Sequence, residues 1–117
     1  KGKNWETMEY EVNDQYEPTQ ESTKLLNQFK SFLDICRVNT LELSLIFPPN
    51  YKNLNSVFVE RITELSQDVA DIYVYDKSRF EYSNKAYFYN QGHLNKKGAQ
   101  VFTSELSTFL QTFEYQD

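Results

Sequence analysis

Apolar residues recur at Leu25, Leu26, Phe29, Phe32, Leu33 and Cys36, the spacing that gathers side chains on one face of a helix. Pro18 stands ahead of them, Thr19 and Ser22 offer hydroxyls to the free N–H groups of a first turn, and Glu21 lies where a helix dipole favours an anion. The pattern predicts a helix over roughly 19–38. Leu41-Glu42-Leu43-Ser44-Leu45-Ile46-Phe47 alternates, then turns continuously apolar and stops at Pro48-Pro49. It reads as a strand buried at its C-terminal end. Helical spacing resumes at Val57, Phe58, Ile62, Leu65 and Val69, behind Asn53 and Asn55 as capping residues, and predicts a helix over roughly 55–68. A second short strand, Ile72-Tyr73-Val74-Tyr75, follows, then a long polar and aromatic stretch over 76–92 that reads as a loop. Asn95 can cap a last helix whose apolar face runs through Val101, Phe102, Leu106, Phe109, Leu110 and Phe113.

Strands that alternate with helices in this way imply the α/β class, with a parallel sheet flanked by helices on both faces. Two strands are too few for such a sheet. The remainder is expected from one of two sources. One is an edge strand within residues 5–17, where Met8, Tyr10 and Val12 alternate, pairing with another copy in a homodimer through the sheet edge or a domain swap. The other is an N-terminal half ahead of this chain. The start Lys1-Gly2-Lys3-Asn4 has no initiator Met and no signal-peptide core, so a trimmed chain is expected. The organisation is thus an irregular or edge-strand segment, 1–18, and an α/β subdomain, 19–117.

Composition narrows the partners. At 117 residues the length suits one domain, and 16% aromatic residues with three Gly and three Pro favour regular packing over disorder. A net charge of −5 and a pI near 4.9 argue against a nucleic-acid or anionic-membrane surface. No apolar run approaches the roughly 20 residues of a transmembrane helix. The single Cys36 can form no internal disulfide and falls on the apolar face of the first helix, as a small buried hydrophobe. With one His and one Cys far apart in sequence, no metal site and no cofactor is expected.

That one histidine, His93, follows a glycine and precedes a helix cap by two residues, a placement at the mouth of a sheet that suits a general base. Read by itself, a single histidine in a polar loop is more often an ordinary surface residue. Its neighbourhood is Tyr87-Phe88-Tyr89-Asn90-Gln91-Gly92-His93-Leu94-Asn95-Lys96-Lys97-Gly98-Ala99. Together with the elements over roughly 20–113, this segment resembles the C-terminal half of SGNH-type (GDSL-like) hydrolases. In that family the last block reads Asp, two residues, His, commonly continued by Leu-Asn and a Gly that opens the final helix.

The resemblance implies a three-layer, flavodoxin-like fold of which this chain holds the C-terminal part. It also implies an esterase or acetylhydrolase chemistry on a small-molecule or carbohydrate ester and is compatible with an extracytoplasmic location, which the residues themselves leave open. His93 would take the proton of a serine nucleophile, and the residue three before it would orient the imidazole. Here that residue is Asn90 rather than Asp, and a neutral amide supports an imidazolium less well. No Gly-Asp-Ser segment and no Gly-x-Asn-Asp block occurs. Val12-Asn13-Asp14 is the nearest trace of the latter, with Asn13 as a candidate oxyanion donor, set against a plain polar turn. No serine here sits on a strand-to-helix elbow, so the chain alone is expected not to hydrolyse esters. Tyr87 and Tyr89, with Phe80 and Tyr82, are candidates to line an acyl or carbohydrate groove or, equally, to cover the core. Asp76, just after the second strand, either contacts a ligand or caps the next turn. The alternative to a catalytic fragment is a non-catalytic SGNH-like binding or interaction module, which the Asn90 substitution favours.

Overall fold

A computed structural model describes residues 16–51 and 54–114; the expected edge strand and Asn13 lie outside the described residues. The elements are α1 (Thr23–Val38), β1 (Leu43–Phe47), α2 (Ser56–Ser66), β2 (Ala70–Val74), β3 (Phe88–Asn90), β4 (His93–Leu94) and α3 (Lys96–Glu114). The described residues are of mixed helix and strand, 57% helical, and β1 pairs with β2 as a small parallel two-stranded sheet. A crossover through α2 joins the parallel strands, as the alternation requires. The chain forms two compact units. Of the described residues, one unit gathers 16–46 and 55–73, the other 47–51, 54 and 74–114.

In the first unit, the predicted caps close the helices. Ser22 Oγ accepts from Leu25 N at 3.3 Å, and Asn55 Oδ1 accepts from Phe58 N at 3.0 Å. Pro18–Gln20 forms a short 3₁₀ turn rather than the start of α1, because Ser22, not Thr19, supplies the cap. Leu33 and Cys36 are buried, in keeping with the inward stripe. A cavity of about 370 Å³ opens between the two helices, lined by Leu26, Phe29, Phe58, Ile62 and Leu65. At its polar end Arg61 grips Glu21 with two bonds, 2.9 and 3.1 Å, while Tyr16 donates its hydroxyl to the same carboxylate. Hydrogen bonds from Arg61 and then Tyr16 hold Glu21 below the ordinary carboxylate value. After α1, Thr40 adopts a φ of 54°, a left-handed turn that a β-branched residue rarely takes.

The second unit departs from the expected loop. Residues 76–92 fold into 3₁₀ turns at Phe80–Ser83 and Lys85–Tyr87 and then enter β3, which pairs antiparallel with β4 through the Gln91-Gly92 turn. Side-chain capping explains the order: Asp76 Oδ1 accepts from Ser78 N and Oγ, and Asn84 Oδ1 accepts from Ala86 N. These Asx turns replace the apolar periodicity that a strand or long helix would show. Tyr51, Tyr75, Tyr82, Phe88 and Phe102 form the buried core, with edge-to-face contacts between Tyr51 and Phe88 and between Tyr75 and Tyr82.

Candidate functional site

Helix α3 is placed by two features of its first turn. Asn95 is its cap: Oδ1 accepts from Gly98 N at 3.0 Å, Nδ2 donates to Ala86 O at 2.7 Å, and Asn95 N donates to Tyr87 O at 3.1 Å. Gly98 is required by close approach, since a Cβ there would sit 2.1 Å from Tyr87 O. The helix is thereby seated on the 3₁₀ turn that ends at Tyr87, and His93 on β4 is held just ahead of it.

His93 is exposed, and its Nδ1 lies 2.8 Å from Asn90 Oδ1. Gly92 N donates to the same Oδ1 at 2.9 Å. A backbone N–H can only donate, so the amide oxygen, not its nitrogen, faces the imidazole. The hydrogen between them then belongs to Nδ1, so in the neutral tautomer the lone pair is on Nε2 of an exposed ring. This is the tautomer a general base needs. The loop is tied down further where Tyr51 N donates to Gln91 O at 2.8 Å.

The two candidate groove residues differ. Tyr89 is 73% exposed, open to contact with a ligand. Tyr87 is half-buried, edge-on to Phe80 and covered by Lys97, whose Nζ stands 4.7 Å above the ring. Phe80 is exposed, whereas Tyr82 is buried and belongs to the core. Asp76 caps the Ser78 turn, and the hydroxyl and amide of Ser78 hold its carboxyl below the ordinary value.

Two residues not singled out by sequence reasoning matter here. Glu105 is buried on α3, accepting from Tyr82 Oη and from Asp76 N, both at 2.6 Å, with Arg79 Nε at 3.2 Å as an ion pair. In the sequence it is one glutamate on a polar stretch of helix, with no signal to mark it. Asn50 follows the Pro48-Pro49 stop, and its Oδ1 is buried without a hydrogen-bond partner. A Cβ on Gly92 would lie 3.9 Å from both that oxygen and Asn90 Oδ1, so the two amides flank the histidine turn. Burial pushes the Tyr75 hydroxyl up, partly offset by a hydrogen bond from the Asn50 backbone. Among the described residues no cluster of His, Cys, Asp and Glu could hold a metal ion, and no helix is long and apolar enough to cross a membrane. Comparison with family models, with curated proteins and with solved structures finds no match to this chain.

Proposed function

We propose that this chain is the histidine-bearing part of an SGNH-type ester hydrolase, in which His93 acts as general base toward a serine carried elsewhere in the protein. The observation that carries the reading is the 2.8 Å contact of His93 Nδ1 with Asn90 Oδ1. It joins the two residues that the family spacing pairs, and it orients Nε2 outward. The mechanism follows from that geometry. Nε2 takes the serine proton as its oxygen attacks the ester carbonyl, the imidazolium returns the proton to the leaving alcohol, and water repeats the cycle on the acyl-enzyme. Exposed Tyr89 and Phe80 would offer faces for an acyl chain or sugar ring. The parallel pair β1–β2 is in keeping with a larger three-layer, flavodoxin-like sheet, to which further strands would be added.

A second reading, a non-catalytic module that binds rather than cleaves, is favoured by Asn90, whose neutral amide orients the ring without stabilising its charged form. One substitution separates the two. Asn90→Asp keeps an oxygen to accept from Gly92 N and adds the missing charge. In the protein with its whole reading frame, a catalytic site gains on the order of 10²–10⁴ in kcat for p-nitrophenyl acetate. No gain in kcat, with acetylated sugars or short-chain acids still binding saturably, would assign the module instead.

A further inference from the structure

Gln91, Gly92 and His93 stand exposed at the tip of a hairpin whose strands, β3 and β4, are three and two residues long. Two strands of that length do not hold a shape in water by themselves. The pairing is also irregular, with a register shift between Phe88 and Asn90. The bonds that Asn90 Oδ1 accepts from His93 Nδ1 and Gly92 N are exposed, so water competes for each of them. Such a tip keeps one geometry only if it is fixed from outside the hairpin.

The segment that follows β1 supplies the fixing. Proline rings restrict the backbone at Pro48 and Pro49, and Pro49 is buried, so the chain reaches Asn50 and Tyr51 with little freedom. Tyr75 N donates to Phe47 O at 3.1 Å, and the Asn50 backbone bonds the Tyr75 hydroxyl, which ties the segment to Tyr75 at two points. From there Tyr51 makes two contacts with the hairpin. Its N–H donates to Gln91 O at 2.8 Å, within the turn that joins Asn90 to His93. Its ring, 6% exposed, meets Phe88 edge to face with 5.5 Å between centroids, and Phe88 lies two residues before Asn90 on β3. One buried residue therefore holds both the tip and the strand that carries Asn90.

The consequence falls on the imidazole. A neutral imidazole has two tautomers, and His93 presents its lone pair on Nε2 only while Nδ1 keeps its hydrogen on Asn90 Oδ1. Releasing Gln91 O lets the turn open and exchanges that bond for water. The hydrogen is then free to sit on Nε2, which removes the acceptor. We infer that Tyr51 is a positioning residue for His93: its backbone N–H and buried ring fix the 90–93 turn and so set the imidazole tautomer. The role rests on the reading of His93 as general base, but the tautomer is observable without turnover.

The test is the nitrogen NMR spectrum of the imidazole in the 117-residue protein at about pH 9, where imidazole is neutral. His93 is the single histidine, so both ring nitrogens are assigned without ambiguity. The parent should show a protonated Nδ1 and an unprotonated Nε2. Tyr51→Leu, which keeps apolar volume but loses the flat ring, should move the tautomer ratio about fivefold toward Nε2–H, the share of one lost hydrogen bond. Phe88→Leu removes the other ring of the pair and gives the same reading where Tyr51→Leu does not fold. Tyr51→Phe, which retains ring and N–H, should keep the parent ratio. Tyr82→Phe loosens the same core at its bond to Glu105 and should also leave the ratio unchanged. A parent ratio retained in the leucine variants, or moved as far by Tyr82→Phe or Tyr51→Phe, would overturn the positioning role. A parent that carries its hydrogen on Nε2 would overturn both this role and the assignment of His93 as base.

Discussion

Replacing Gly98 with Ala sets two opposed effects against each other. In an exposed helix the substitution would stabilise by about 1 kcal/mol, because glycine is the poorer helix former. Here the added Cβ meets Tyr87 O at 2.1 Å, Leu94 Cδ2 at 2.8 Å and Tyr87 C at 3.1 Å. The leucine methyl can rotate aside; the carbonyl is backbone and cannot. Restoring ordinary contact requires α3 and the 3₁₀ turn to separate by roughly 1 Å, and overpacking of that kind costs about 1–3 kcal/mol. The same movement lengthens Asn95 N to Tyr87 O and Asn95 Nδ2 to Ala86 O, bonds of 3.1 and 2.7 Å worth about 1 kcal/mol each. Set against the propensity gain, the variant should lose about 2–4 kcal/mol, lowering Tm by roughly 8–16 °C for a domain of this size. Urea unfolding followed by far-UV circular dichroism measures it. A variant as stable as the parent, or more stable, would show that the seating of α3 on Tyr87 is not tight and would remove the physical reason for a glycine there.

Two other variants test the interior and the acid response. Glu105→Ala strands the buried Tyr82 hydroxyl and the Asp76 N–H and should destabilise by about 2–4 kcal/mol in the same unfolding assay, with Glu105→Gln retaining part of the loss because its amide oxygen still accepts. Glu21 has its folded value depressed by Arg61 and Tyr16, so the stability it contributes is fully present above its ordinary value of 4.5 and is lost as pH falls through the lower folded value. Thermal melts between about pH 6 and pH 3 should therefore fall less steeply for Glu21→Gln than for the parent, and equal slopes would refute the assignment.

The helices and first strand were legible because their signals are local. Leu33 and Cys36 of α1, the Ser22 and Asn55 caps and the Pro48-Pro49 stop each act within a turn or two, and Ala70–Val74 was displaced by only two residues from the expected strand. Within the site, the pairing of His93 with Asn90 was legible only through the resemblance, whose three-residue separation lets one tight turn bring the two together. What was not legible depends on partners distant in sequence. The partners of Glu105 lie 29 and 23 residues away, at Asp76 and Tyr82, and no periodicity marks them. The ordered 76–92 stretch reads as loop in the sequence because Asx turns, 3₁₀ turns and one three-residue strand carry no apolar period to detect. Tyr82 and Tyr89 look alike in sequence, yet Tyr82 is 3% exposed, edge-on to Tyr75 and bonded to Glu105, while Tyr89 on β3 is 73% exposed.

The most direct test of the central claim is turnover of p-nitrophenyl acetate by the protein with its whole reading frame, measured for the parent and for His93→Ala. Because His93 is exposed, the variant should fold unchanged. The account predicts a kcat at least ~100-fold lower in the variant, the share expected from a lost general base. Turnover that is equal in the two proteins would contradict it.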